Sequence, residues 1–391
     1  MENWRKMTIG DLCMTISETY HGNDAEVILI NTSDVLEGTI LNHKKVPNQN
    51  LKGQFKKTFK KGDILYSEIR PANKRYAFVD FENTEHYIAS TKLMVLRPNT
   101  EVILPRFLLA YLSSGPVLSE LQHLAETRSG TFPQITFSSE LAPMPISVPD
   151  FQTQKKIVGV LDSIEEKIKN NIQINKNLLE QAQSIFTQEF LMLERIPDGW
   201  QESSLLGIAD YLNGLAMQKY RPKDDEQGLP VLKIKELRQG SCDFNSGLCS
   251  PSIKPEYIVH DGDVIFSWSG SLLVDFWCGG TCGLNQHLFK VTSSTYDKWF
   301  YYAWTKHHLQ KFAAIAADMA TTMGHIKREE LSKAEVLIPS QYDYDRIGGL
   351  LAPLYNLVIA NRIENRKLAS LRDELLPQLM SGKLDVSEVS L

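Results

Sequence analysis

No apolar run in the chain approaches the 18 or so residues that a membrane span requires. The first twelve residues, MENWRKMTIGDL, lack the apolar h-region of a secretory leader. Both absences predict a cytoplasmic protein with no membrane partner. Cysteine is scarce and odd in number, five in 391 residues, which predicts reduced thiols rather than a disulfide framework. Basic residues are not in excess, since 42 Lys and Arg against 47 Asp and Glu leave a net charge of −5. Nothing global announces nucleic acid, so such a partner would have to meet local basic surface. Signatures of chemistry are missing as well. The sequence has no Asn-Pro-Pro-Tyr type methyltransferase motif, no Gly-rich cofactor or phosphate loop after a strand, and no Walker signature. These absences leave no sequence signature for methyl transfer or nucleotide chemistry.

What is present is a narrow apolar seam. From Phe151 to Phe190 the chain reads as one long helix. Steps of four and three from Ile157 give Leu161, Ile164, Ile168, Asn171, Asn175, Leu178, Ala182, Ile185 and Glu189. That spacing averages about 3.5 residues, the period of a coiled coil. Adding 190 to each position reaches Ile347, Leu351, Leu354, Val358, Asn361, Asn365, Leu368, Arg372, Leu375 and Leu379. The seam recurs with its two central asparagines. If the helices pair antiparallel, Asn171 and Asn175 face Asn361 and Asn365, and a polar seam residue fixes register at some cost in stability. From Ile157 to Glu189 such a rod runs about 50 Å, at about 1.5 Å per residue. Off the seam, Ile172, Ile174, Leu179, Phe186 and Phe190 suggest an apolar surface for a partner to cover.

The rest of the chain is duplicated too. Trp4 recurs as Trp200, and Lys61–Ser67 (KGDILYS) as Asp261–Ser267 (DGDVIFS). Thr91–Leu96 recurs as Gln286–Val291, and Glu140-Leu141 with Val148-Pro149 as Glu330-Leu331 with Ile338-Pro339. The drifting offsets mark two diverged copies of a domain followed by a helix. Domains are therefore expected at 1–150 and 196–340, with spacer helices at 151–195 and 341–391. Strands are predicted at Val27–Ile30, Asp63–Tyr66, Arg75–Val79 and Leu93–Leu96. A helix is predicted over Pro105–Leu124, broken at Gly115-Pro116, then a polar loop over Glu126–Phe137 and an extended exit over Leu141–Pro149. The Gly-Asp element reads as a turn feeding a buried strand.

Two chemical patterns fail on inspection. Pro149-Asp150 with Glu165-Glu166-Lys167 matches a loose nuclease pattern, but its second half lies on the long helix and the second copy lacks it. Cys242, Cys249, Cys278 and Cys282 are spaced too widely for a zinc knuckle. Asp297, His307 and His308 read as ordinary polar residues around a Tyr/Trp-rich helix over Tyr296–Phe312.

Taken together, the paired Trp starts, the two Gly-Asp strands, Asn285-Gln286-His287, the exits ISVPDFQTQKKIVGVLD and VLIPSQYDYDRIGGLLA, and the ending LLPQLMSGKLDV resemble the specificity subunit of type I restriction–modification systems. The likeness covers essentially the whole chain. It departs at the helix starts, where Phe-Gln-Thr-Gln and Tyr-Asp-Tyr-Asp replace the family's usual Glu-Gln pair. The resemblance implies an α+β protein. Two homologous target-recognition domains would be joined by two long antiparallel coiled-coil helices in a pseudo-twofold tandem repeat. It implies a non-catalytic reader of a bipartite, asymmetric site in double-stranded DNA. Two methyltransferase subunits would dock on its helices and motor–nuclease subunits would join them. S-adenosylmethionine, ATP and magnesium would then sit on the partners.

A rod of that length would separate the half-sites by roughly one and a half duplex turns. A scaffold whose paired domains bind proteins rather than DNA is the competing reading. Base reading needs Arg, Lys, Asn and Gln, while Lys, Arg, Ser and Thr hold phosphates. In the first domain the candidates are Lys56, Lys57, Lys60 and Lys61, then Ser67, Arg70, Asn73, Lys74 and Arg75, and Arg128, Ser129, Thr131 and Gln134. In the second they are Trp268, Ser269, Ser271, Asn285, Gln286, His287, Thr321, Thr322, His325 and Lys327.

Overall fold

A computed structural model describes residues 4–49, 53–128, 131–243, 245–318 and 326–387. The chain divides into two compact units, Met1–Glu166 with Ala369–Leu391, and Lys167–Leu368. Each contains the same three sheets. In the first unit an antiparallel sheet runs in the order Cys13–Ile16, Leu93–Pro98, Ile64–Ser67, Tyr76–Phe78. Its counterpart in the second runs Asp210–Asn213, Leu288–Thr292, Val264–Ser267, Leu273–Phe276. Ser67 pairs with Leu93 and Ser267 with Leu288, the same register. A second sheet in each unit holds one parallel pair, Glu26–Ile30 beside Tyr87–Ser90 and Leu229–Leu232 beside Cys282–Leu284. Two-stranded ribbons, Arg5–Thr8 with Pro145–Val148 and Gln201–Ser204 with Glu335–Ile338, tie each domain's entry to its exit.

The Gly-Asp strand explains its own composition. Successive side chains of a strand point to opposite faces. Ile64 and Tyr66 enter one core with Phe107, Leu112 and Ile157, while Leu65 enters another with Ile28, Ala77 and Val95. Val264 and Phe266 likewise pack with Phe300 and Phe312, and Ile265 with Leu232 and Leu284. Each strand is a wall shared by two cores, which requires an unbroken apolar run.

The helix in the first domain breaks at Ser113-Ser114, not at Gly115-Pro116. Gly115 and Pro116 open the next helix, where a missing N–H is harmless, and that helix runs on to Arg128 through part of the expected loop. In the second unit the aromatic helix spans Lys298–Asp318. Just before its start, the Asp297 N–H donates to the Tyr344 hydroxyl at 2.7 Å.

The first long helix runs Phe151–Phe186 and closes in a wider turn, Thr187–Leu191; the second runs Gln341–Met380. Asp150 accepts from the Thr153 N–H at 2.9 Å, an N-cap contact that accounts for this aspartate without any nuclease role. In the first unit Ile157 and Leu161 share a core with Leu376 and Leu379. In the second, the Asn171 amide donates to Asn365 Oδ1 at 2.8 Å, and Asn361 donates to Asn175 Oδ1 at 2.9 Å. Rising numbers on one helix meet falling numbers on the other, so the two helices run antiparallel there. Asn175 and Asn365 also donate to the Val358 and Ile168 carbonyls, and Asn171 to the Glu364 carboxylate at 2.7 Å. The off-seam apolar residues divide. Phe186 and Phe190 are buried among Trp304, Trp200 and Phe300, whereas Ile172 and Ile174 are exposed. Among the described residues no helix is long and apolar enough to cross a membrane.

Candidate nucleic-acid interface

In both units the chain leaving the Gly-Asp strand meets the loop that follows the domain's longer helix. The strand's entry is fixed by its aspartate. Asp63, 1% exposed, accepts the Lys60 N–H and takes both ends of the Arg97 guanidinium at 2.9 and 2.8 Å. Asp263 accepts the His260 N–H and pairs with Lys290 at 2.9 Å. Neither cation was flagged by the sequence. Their signal was a lone Arg or Lys within an otherwise apolar strand next to the Gly-Asp strand.

Beyond the strand of the first unit, the turn and the loop are stitched by backbone. Arg70 N–H donates to the Pro133 carbonyl at 3.1 Å, and Ile135 N–H to Glu68 at 2.8 Å. This sets Arg70 beside Pro133 and Ile69 opposite Gln134. Arg70 and Lys74 flank a short turn, Pro71–Asn73, and both hold left-handed backbone, with φ of 45° and 52°. Such a conformation costs a non-glycine residue about 1–2 kcal/mol. Lys74 pairs with Glu37 at 3.0 Å, Lys92 with Glu68 at 3.4 Å, and Arg128 with Glu140 at 3.1 Å. Gln134 accepts from Lys92 at 3.2 Å.

Several expected contacts are corrected by burial. Ser67 is buried, and its hydroxyl accepts the Ile69 N–H at 3.0 Å, so it shapes the turn and cannot meet a ligand. Lys57 turns inward and donates to the Thr91 and Leu93 carbonyls at 3.0 and 2.8 Å. Burial holds its ammonium below the usual lysine range, and it is no phosphate contact. Lys56 and Lys60 stay exposed. Arg75 is spent on the Ser33 and Val35 carbonyls at 3.1 and 3.3 Å. Ser129 lies outside the described residues.

The second unit assembles a more aromatic cluster. Trp268 donates its indole N–H to Asn213 Oδ1 at 3.0 Å, and its ring lies 5.7 Å from Phe289 and 6.2 Å from His287. Ser269 Oγ is 3.1 Å from His287 Nδ1, and Asn285 Oδ1 accepts the His287 N–H at 3.3 Å. Ser269 and Asn285 are buried, so they orient His287 rather than contact anything outside, which removes both from the readers. Gln286 and His287 remain on the rim, half-buried. Gly214 permits this packing: a Cβ there would lie 2.3 Å from the Asn285 carbonyl oxygen. Ile326 N–H donates to the Trp268 carbonyl at 2.9 Å, bringing exposed Lys327 close in sequence to the cluster, and Ser271 is exposed. Thr321, Thr322 and His325 lie outside the described residues.

The helix starts resolve the departures noted in the sequence. Gln154 is fully buried, accepting the Leu104 N–H at 2.8 Å and donating to the Pro149 carbonyl at 3.0 Å. Its counterpart Tyr344 accepts the Asp297 N–H. Each ties a long helix to the residue preceding its own domain's helix.

Known proteins place these features. The family model for the type I restriction modification DNA specificity domain matches residues 1–180 and 197–371. The chain is similar to the type I restriction enzyme HindI specificity subunit of Haemophilus influenzae, 26% identical over 98% of this chain and 100% of that one. The type I restriction enzyme MjaIX specificity subunit of Methanocaldococcus jannaschii is 25% identical over 72% of this chain and 69% of its own. A crystal structure of the type I restriction-modification system S subunit from M. genitalium shares the fold, with a TM-score of 0.53 at 15% identity over 97% of this chain and 96% of that one. The chain therefore belongs to the type I restriction–modification DNA specificity family, with two copies of its defining domain.

Proposed function

We propose that this DNA sequence-recognition subunit reads a bipartite, asymmetric duplex site, one unit per half-site, and performs no chemistry itself. The observation that carries the reading is the duplication of one framework under different loops. The same sheet order recurs, yet the loop cluster of one unit offers Arg70, Lys74 and Thr131, and that of the other offers Trp268, Gln286 and His287. A constant framework with divergent rims suits two readers of unlike sequences. Methyltransferase subunits would dock on the long helices, where Ile172, Ile174, Leu350 and Leu357 are exposed. Motor–nuclease subunits would join that core, and S-adenosylmethionine, ATP and magnesium would be bound by these partners. Thiol-only chemistry at Cys13, Cys242, Cys249, Cys278 and Cys282 and a cytoplasmic setting complete the proposal.

The test is salt-dependent binding to duplex DNA, by the chain alone and with the methyltransferase encoded beside it. Sequence-selective binding with the partner, weakening steeply with salt, is expected. No binding in either state would refute the reading and leave a protein-binding scaffold.

A further inference from the structure

Aligning the duplicated Gly-Asp strands sets Arg70 opposite Gly270, each three residues beyond the strand's last serine, Ser67 or Ser267. Both positions hold left-handed backbone, with φ of 45° and 65°. Glycine adopts that conformation freely, and a side chain with a Cβ does not. The second unit satisfies the turn with glycine, while the first keeps an arginine there.

Nothing in the turn repays the arginine side chain. Its backbone does the structural work, donating to Pro133 and accepting from Asn73 at 2.8 Å. Neighbouring Lys74, Lys92 and Arg128 have carboxylate partners. Among the described residues the Arg70 guanidinium has no hydrogen-bond or ion-pair partner, and the residue is exposed. One residue before the Pro133 carbonyl, Phe132 is 49% exposed, giving the same rim an aromatic edge. Strained backbone kept at a solvent-facing charge is a mark of ligand contact. A guanidinium fork matches the two acceptors that guanine presents in the major groove.

We propose that Arg70 determines specificity in the first unit by reading a guanine in its half-site; this rests on the DNA-reading function proposed above. The second unit, with Gly270, reads nothing from this position, so the two half-sites differ here by design of the turn.

The experiment is selection of bound sequences from a random duplex library with the full chain, in whichever state binds DNA, for the natural protein, Arg70→Gly and Arg70→Lys. The natural protein is expected to enrich a two-part motif. Arg70→Gly should lose preference for one guanine in one half by roughly 10- to 100-fold, with the other half unchanged. Its melting temperature should equal or exceed that of the natural protein, because glycine relieves the turn. Arg70→Lys should lose the same guanine while retaining most non-selective affinity. An unchanged motif in Arg70→Gly overturns the proposal. So does a uniform loss across all sequences with a salt slope smaller by about one, the signature of a phosphate contact. A lower melting temperature with an intact motif would mean a structural arginine. If the natural protein enriches no motif, the DNA-reading function itself fails.

Discussion

Asn175 and Asn361 are 7% and 9% exposed, so water cannot replace a partner removed from either. Asn175→Ala would strand the Asn361 amide, which now donates to Asn175 Oδ1 at 2.9 Å. Stranding a buried donor costs about 1–3 kcal/mol, partly offset by alanine's better helix propensity of about 0.5 kcal/mol. Asn361→Ala strands only an acceptor, because Asn175 still reaches the Val358 carbonyl at 3.4 Å. It should therefore cost less. The double variant strands nothing, so its cost should fall below the sum of the singles by about 1–2 kcal/mol. Two structural units make a single unfolding free energy ill-defined. The assay is hydrogen exchange at the backbone amides of 171–178 and 358–365 in the full chain. Costs that add to within about 0.5 kcal/mol would refute the coupling, and with it the idea that these amides set the register.

His307 and His308 are held below the usual histidine range by burial against the aromatic helix core. Their stabilising neutral state is lost as pH falls below the free-histidine value of about 6.5 toward their folded values. Acid should thus loosen the second unit, read as falling tryptophan emission, and His308→Gln should shift that transition to lower pH. Gln154→Leu should cost about 1–3 kcal/mol by orphaning the Leu104 N–H, whereas Tyr344→Phe should cost less, because Asp297 is exposed and water can take its N–H; limited proteolysis at the two helix starts checks both. Lys60→Ala should lower the salt slope of DNA binding by about one, whereas Lys57→Met should leave it unchanged, because that ammonium faces carbonyls.

The seam and the duplication were legible because each repeats a local pattern. The 3.5-residue period and the doubled asparagines specify their partners without reference to the rest of the chain. Sheet order was less legible. The pairing of Ile28 with Tyr87 joins residues far apart in sequence, and no short-range pattern announces a parallel neighbour. Loop residues were least legible. Ser67, Lys57, Ser269 and Asn285 have the composition of readers, but a hydroxyl or ammonium serves a turn as readily as a phosphate, and only burial separates the two. Arg70 could have been singled out, since the alignment that exposed the duplication already placed it opposite Gly270.

Gln154 and Tyr344 carry a consequence for recombination between such chains. Each acceptor stands on a long helix, while the amide it satisfies, Leu104 or Asp297, belongs to the preceding domain. A crossover at Pro149 or Pro339 would import a domain without the side chain that anchors it. Chimeras joined after residue 154 or 344 keep donor and acceptor of common descent, so a few residues of helix should travel with every transplanted domain.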